Sequence, residues 1–240
     1  MVEAKTLLKA SLEASRALLR PLTPGAVRSG RAPAMVPIRA IGVQHRERIL
    51  HHLLALDERD RYLRFGYPAT DEQIRRYTDG LNFERDEIFG IYNRRLDLIA
   101  VAHLAFSVDP LFKSCAEFGV SVLQRARGRG YGARLFDRAV VHARNQGVTM
   151  LFIHALSENM AMLKIARKAG ARVERDGSES EAYLKLPAAT LDTRVTELVE
   201  EQFAELDYQV KSQAKQFRDF LAGLQEVRQG VREGRHKAGT

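Results

Sequence analysis

The chain has 240 residues, of which 45% are hydrophobic and 28% charged, and its formal net charge is +8. These proportions are typical of a globular protein with one ordinary domain and appendages, and no apolar run is long enough to span a bilayer. Its single cysteine, Cys115, excludes an internal disulfide framework and predicts a reducing compartment, the cytoplasm.

Leucines recur at helical spacing in residues 3–20, with Lys and Arg between them. This pattern predicts a basic amphipathic helix, ended by Pro21 and Pro24, that packs on the body or a partner, touches a membrane surface or serves as a transit peptide. Residues 21–34 read as a linker, so residues 1–34 form a first segment. The basic residues sit towards the chain ends without interleaved aromatics, so no specific nucleic-acid partner is expected.

Residues 36–41 predict a first strand, and an amphipathic helix with a leucine-rich face follows from Gln44. His51 and His52 are adjacent on that helix and point apart, so they cannot share a metal ion and are interpreted as ordinary helix residues. The chain also lacks Cys-His metal spacing, and no metal is expected. Thr70, with Gln73 three residues later, predicts a helix that begins with a capping box.

Three strands are predicted next. Residues 87–92 and 97–106 form a hairpin around a turn at 93–95, and residues 116–122 form the third strand. His103 lies in the second strand of this group, where a structural role is commoner than a catalytic one.

A glycine-rich turn follows the third strand. Glycines alternate there with two arginines and a tyrosine: Arg127, Gly128, Arg129, Gly130, Tyr131 and Gly132. Glycines let the backbone approach a ligand, and the next helix begins with unpaired N–H groups and a positive dipole end. The pattern predicts a phosphate or pyrophosphate site, although it is neither a P-loop nor a Rossmann fingerprint. The alternative is a tight strand-to-helix turn with incidental glycines.

The helix after this turn is expected to end at Gly147. Residues 149–155 predict a buried strand, and a helix that starts at 157–159 runs towards Gly170. Residues 171–175 and 181–186 predict a final hairpin with Asp176-Gly177 as its turn.

The turn at 127–132 resembles the Arg/Gln-x-x-Gly-x-Gly/Ala loop of the GNAT superfamily of acetyl-CoA-dependent N-acetyltransferases, and the helix near Asn159 is similar to that family's next motif. The Tyr-Leu-Arg-Phe element at 62–65 resembles the catalytic domain of bacterial protein lysine acetyltransferases. The resemblance covers residues 36–187. It implies an α/β (α+β) fold, in which helices flank a central, mixed, mostly antiparallel twisted sheet, and it makes residues 35–187 the acetyltransferase domain.

The resemblance also implies that acetyl-CoA is the cosubstrate and that an amine, on a protein lysine or a small molecule, is the acceptor. The strand before the loop would splay from its neighbour and bind the pantetheine arm, with a backbone N–H near Val122 polarising the thioester carbonyl. The implied coenzyme-binding residues are Val120, Val122, Arg127, Gly128, Arg129, Gly130, Tyr131, Gly132, Ala133 and Asn159.

Glu117 is the expected general base, because its Ala-Glu-Phe setting is similar to that of lysine acetyltransferases that use a glutamate there. Glu84, Glu87 and His103 are the alternatives. In this interpretation the amine attacks the thioester directly in a ternary complex.

The helix after Asn159 departs from the family pattern, since it has no tyrosine and many members use one there as the general acid. Ala171 also replaces the usual aromatic residue after the glycine. The departure excludes a tyrosine acid on this helix, and it leaves open a second interpretation, a catalytically weak acyl-CoA-binding sensor or scaffold with the same fold.

Residues 188–240 predict a long C-terminal helix with a basic tail. A heptad-like seam runs along it in steps of four and three: Phe203, Leu206, Val210, Gln213, Phe217, Phe220, Leu224 and Val227. The seam predicts a coiled coil, with a second copy in a homodimer or with the N-terminal helix. The alternative is a helix folded back onto its own domain.

Overall fold

The computed structural model describes residues 36–237, with side chains described up to residue 216, so the helix and linker predicted in residues 1–34 lie outside it. In this described part, seven strands form one sheet in the order β1-β2-β3-β4-β5-β7-β6. The strands are β1 (Arg39–Ala40), β2 (Glu87–Tyr92), β3 (Leu98–Phe106), β4 (Cys115–Val122), β5 (Met150–Leu156), β6 (Arg172–Asp176) and β7 (Glu179–Lys185). Every neighbouring pair is antiparallel except β4 and β5, so the predicted mixed, mostly antiparallel sheet is confirmed.

Six helices accompany the sheet within residues 36–237. They are α1 (Arg46–Leu54), α2 (Glu58–Phe65), α3 (Asp71–Asp79), α4 (Tyr131–Asn145), α5 (Met160–Lys168) and α6 (Leu191–Lys237). Apolar residues of α1 and α3, among them Leu53 and Ile74, pack on one side of the sheet, here called the front face. The opposite side, the back face, packs against α4 and α5 through residues such as Phe136 and Leu163.

Local signals in the sequence account for several element ends. Thr70 and Gln73 form the predicted capping box at the start of α3, with both reciprocal bonds present. Gly147 follows the end of α4 with a left-handed φ of +81°, as expected of a glycine that ends a helix. These two predictions are therefore confirmed.

Three predicted elements need correction. The first strand was expected over residues 36–41, but only Arg39–Ala40 pair with β2. Residues 58–65 form α2, a separate helix that the sequence did not indicate, with Asp57 as its N-cap and Gly66 in a left-handed conformation after its end. The final hairpin turns at residues 177–178, one residue later than predicted, because Asp176 still pairs with Glu179.

The first part of α6 folds back onto the domain. The guanidinium of Arg138, only 1% exposed, lies 2.8 Å from carboxylate oxygens of both Glu197 and Glu201. Further along, the Tyr208 ring lies beneath Arg39, 3.8 Å from its guanidinium carbon. This is the arrangement that the sequence left as the alternative to self-association. Within the part of the chain that the structure describes, no helix is both long and apolar enough to cross a membrane.

Candidate active site

β4 changes partners partway along its length. It pairs with β5 only over its first three residues, and the last of these pairs joins Glu117 to Phe152. Its pairing with β3 on the other side continues to Val122. Residues 118–122 therefore present an edge without a strand partner towards β5, and backbone groups along such an edge can bind an extended ligand. The splay implied by the sequence is confirmed.

The glycine-rich turn lies at the open end of this gap. Gly128 and Gly130 have φ values of +77° and +75°, a left-handed conformation that disfavours residues with a Cβ. α4 begins directly after Gly130, and no side chain caps its N-terminus. The N–H groups of its first turn are thus available to an anion, and the helix dipole adds positive potential there.

The gap and the turn open into one cavity of about 960 Å³. Arg129 is exposed and does not line it, so its proposed contact with the coenzyme stays a prediction. The other implied coenzyme-binding residues all line this cavity: Val120, Val122, Arg127, Gly128, Gly130, Tyr131, Gly132, Ala133 and Asn159.

Helix α2 is tied to both sides of the gap. Asp60, in α2, forms an ion pair with Arg127 of the glycine-rich turn. The Asn159 side-chain amide, at the start of α5, donates to the Leu63 carbonyl in α2 at 3.4 Å, while its oxygen accepts from the Met162 N–H at 3.1 Å. Arg127 and Asn159 therefore hold α2 across the cavity as well as lining it.

Glu117 lines the cavity at the point where β4 leaves β5, and its side chain is exposed. Glu84 is exposed in a turn and does not line the cavity. Burial raises the pKa of Glu87, but this residue lies 3.6 Å from His142 of α4. It therefore belongs to the back-face side of the sheet, and of the glutamates considered only Glu117 lines the cavity.

His103 belongs to a chain of hydrogen bonds on the front face. Its Nε2 lies 3.1 Å from an oxygen of Asp86, and its Nδ1 lies 2.9 Å from the Tyr77 hydroxyl. That hydroxyl accepts from Arg64 at 2.9 Å. Burial, reinforced by the charge of Arg64, lowers the pKa of His103 even though Asp86 acts in the opposite direction. Because a carboxylate only accepts, the neutral ring donates from Nε2 to Asp86, and its Nδ1 accepts from the Tyr77 hydroxyl.

Sequence reasoning overlooked several of these side chains. Local patterns indicate Arg64 only as part of the Tyr-Leu-Arg-Phe element and assign neither Asp60 nor Tyr77 to a site. His52 was interpreted as an ordinary helix residue, but it is buried and its Nε2 lies 2.8 Å from the Ser121 hydroxyl. It lies in α1 and points away from His51, as the sequence indicated, but its burial and its hydrogen bond were not expected. Each contact joins residues far apart in the chain, and only the Tyr-Leu-Arg-Phe element offered a local signal.

Comparison with known proteins gives one family. The model of the acetyltransferase (GNAT) family matches residues 50–171, half of the chain. A comparison with curated protein sequences gives no match.

Among solved structures, the chain is similar to the GNAT domain of PAT from S. lividans, with 20% identity and a TM-score of 0.54 over 62% of this chain and 89% of that one. It is also similar to an N-acetyltransferase from Staphylococcus aureus Mu50, with 18% identity and a TM-score of 0.51 over 64% of this chain and 100% of that one. A third similar structure is a GNAT-family acetyltransferase from Streptococcus pneumoniae, with 11% identity and a TM-score of 0.52 over 64% of this chain and 100% of that one.

At these identities the structural likenesses establish the fold alone. The family match spans α2, the strand that leaves its neighbour and the glycine-rich turn, which are the elements that build the cavity. The chain therefore belongs to the GNAT family of acetyltransferases, enzymes that use acetyl-CoA as cosubstrate.

Proposed function

We propose that this chain transfers an acetyl group from acetyl-CoA to an amine, on a protein lysine or a small molecule, by direct attack in a ternary complex. The observation that carries the proposal is the gap between β4 and β5, which begins at Glu117 and ends at the uncapped N-terminus of α4. It offers one continuous path from an anion site to a carboxylate.

The coenzyme would be bound mainly by backbone groups. The pyrophosphate fits the first-turn N–H groups of α4, with the guanidinium of Arg127 beside them and Gly128 and Gly130 leaving room for close approach. The pantetheine arm fits along residues 118–122, where the edge of β4 lacks a strand partner. Asn159 lines the same cavity from the start of α5.

Glu117 is proposed as the general base. Only a neutral amine can attack the thioester, so the carboxylate accepts the ammonium proton, directly or through water. The amine nitrogen then bonds to the thioester carbon, and a backbone N–H near Val122 stabilises the oxyanion. The carbon–sulfur bond breaks, and the nitrogen loses its second proton to solvent as the amide forms. Since α5 has no tyrosine, the departing thiolate takes its proton from solvent.

The test replaces Glu117 with glutamine, which keeps the shape and removes the base. We expect Glu117→Gln to lower kcat about 100-fold or more with an unchanged Kd for acetyl-CoA, because the side chain acts on the acceptor. The measurements are thiol release over a panel of amines and lysine peptides, and calorimetry with acetyl-CoA. Glu174→Gln, an exposed change on β6 that does not line the cavity, is the matched control.

Full activity in Glu117→Gln would assign the base to another residue. The missing tyrosine favours one other function, an acyl-CoA-binding sensor or scaffold that turns over slowly or not at all. A sensor would bind acetyl-CoA in the calorimeter and release no thiol with any amine, whereas an enzyme releases thiol in proportion to acetylated product.

A further inference from the structure

We propose that Glu117 and Arg64 together select an acceptor that carries a carboxylate next to its amine, as a free amino acid does. Glu117 would take the amine and Arg64 the carboxylate. This inference rests on the proposed acetyl transfer and adds to it a class of acceptor.

The two charged groups lie at the same face of β4, Glu117 as a residue of the strand and Arg64 as a residue of α2 that packs against it. Ser121, on β4, bonds to His52 of α1 and therefore points to the front face, and alternation along the strand gives Gly119 and Glu117 the same direction. Arg64 reaches this face from α2. Both Glu117 and Arg64 line the cavity.

Gly119 makes room for the guanidinium. A Cβ at this position would lie 2.8 Å from Nη2 of Arg64 and 2.9 Å from its Cζ. Real Cβ contacts are longer than this, so the guanidinium rests directly on the backbone of β4. Arg64 therefore stands one front-face position further along the strand than Glu117.

Neither charge is neutralised by a neighbour. Within residues 36–216, no carboxylate forms an ion pair with Arg64, and no cation forms one with Glu117. Among the residues whose side chains the structure describes, the guanidinium makes a single hydrogen bond, to the Tyr77 hydroxyl at 2.9 Å, so most of its five N–H donors are available there. A half-buried guanidinium without a counterion is costly, and an anionic ligand would remove that cost.

The aromatic surroundings fix the direction of the guanidinium. Its central carbon lies 5.2 Å from the centre of the Phe65 ring and 5.5 Å from that of Tyr77. The Tyr77 hydroxyl is itself held by His103. A guanidinium that is held in place loses less freedom on binding and can present its planar fork to a carboxylate.

The spacing along β4 suits a zwitterion. Two residues on a strand span about 7 Å. In an α-amino acid the nitrogen and the carboxyl carbon are about 2.5 Å apart, and a charge-assisted contact at each end adds about 2.8 Å. The resulting span of roughly 8 Å, from the carboxylate that binds the amine to the guanidinium that binds the carboxylate, is comparable with the backbone separation of positions 117 and 119.

The charge balance favours a carboxylate over a phosphate, because one unpaired guanidinium matches a single negative charge and Glu117 would repel a dianion. The ε-amine of a peptide lysine has no carboxylate on the next atom. Its side chain alone would leave Arg64 without a counterion, so a lysine peptide is the competing acceptor in the test.

The experiment compares three matched acceptors with acetyl-CoA: an amino acid, its carboxamide, and a lysine peptide with blocked ends. For the wild type we expect kcat/KM to be about 10- to 100-fold higher with the amino acid than with the carboxamide, since a hydrogen bond to a charged group contributes that much. Arg64→Gln should remove this preference by lowering kcat/KM for the amino acid alone. Arg64→Lys should restore part of it.

Arg59→Gln is the matched control, because it removes the same charge from an exposed position of α2 outside the cavity. The inference is wrong if the wild type prefers the carboxamide or the peptide, or if Arg64→Gln slows all three acceptors equally, as a purely structural role predicts. Calorimetry with the amino acid in the presence of coenzyme A distinguishes a failure of the acceptor site from a failure of the proposed transfer. If no acceptor causes thiol release, the proposed transfer is wrong. Binding of the amino acid that Arg64→Gln abolishes would still support the acceptor site. An absence of amino-acid binding to the wild type would overturn that site.

Discussion

His52 shows how one buried side chain connects the core to the candidate site. Its Nδ1 lies 2.9 Å from the Leu98 carbonyl, which can only accept, so Nδ1 carries the proton and Nε2 accepts from Ser121. Burial lowers the pKa of His52 to about 4. A proton on Nε2 would reverse the bond to Ser121 of β4, the strand that borders the cavity, because the hydroxyl would then have to accept.

This arrangement predicts a loss of stability in acid. The pKa of His52 is below its unfolded value of about 6.5, so between that value and 4 the unfolded chain binds more protons and the free energy of unfolding falls as the pH falls. From pH 7 to pH 5 the contribution is about 2 kcal/mol. Urea unfolding should show a pH dependence that is smaller by this amount in His52→Gln.

His51→Gln is the control, because His51 is the exposed neighbour on the same helix. Equal pH slopes for the wild type and His52→Gln would show that His52 does not titrate in this range.

The same pair of residues illustrates a limit of sequence reasoning. Two adjacent histidines on a helix must point apart, but which one faces the core depends on how the helix meets the sheet.

Among the elements, the glycine-rich turn was the easiest to read from sequence and offers the clearest test. Gly130→Asp places a carboxylate where an anion is expected, so we predict at least about a 10-fold weaker Kd for acetyl-CoA by calorimetry. Gly147→Asp is the control, since Gly147 has a similar φ of +81° but lies at the other end of α4. Equal Kd values in both variants would place the pyrophosphate elsewhere.

The turn was readable because its signal is local: glycines, arginines and an amphipathic helix stand next to one another. Helix α2 was missed because residues 58–65 are mostly charged and show no apolar repeat. The local signals for this helix are limited to its cap at Asp57 and its end at Gly66. The contacts of α2 with Arg127 and Asn159 depend on chain segments about 70 and 100 residues away, and no local pattern predicts them.

At the scale of the whole molecule, the family resemblance, carried by two motifs and the order of the elements, implied the fold class, whereas the oligomeric state did not follow from it. Three seam positions described by the structure, Leu206, Val210 and Gln213, are exposed, although α6 also docks on its own domain through Glu197 and Glu201. Docking through one face leaves another face free. The homodimer therefore stays a prediction, and it is compatible with the folded-back helix.

Light scattering on the full chain tests this prediction. We expect twice the chain mass of 27.1 kDa, and a return to the single mass when Leu206→Glu and Val210→Glu are combined, because two charges in an apolar seam oppose pairing. Gln209→Glu, an exposed change on the same helix, should have no effect. A wild type with the single mass would remove the dimer from consideration.

The separation of β4 from β5 after Glu117 limits the thermal stability of this protein without its ligand. Substitutions that extended the pairing of β4 with β5 would add backbone hydrogen bonds between the strands and at the same time close the gap between them. Selection for thermal stability would thus favour pairing of the β4 residues after Glu117, whereas selection for turnover would favour leaving them unpaired. Thermostable variants of this enzyme are better sought among positions remote from that fork.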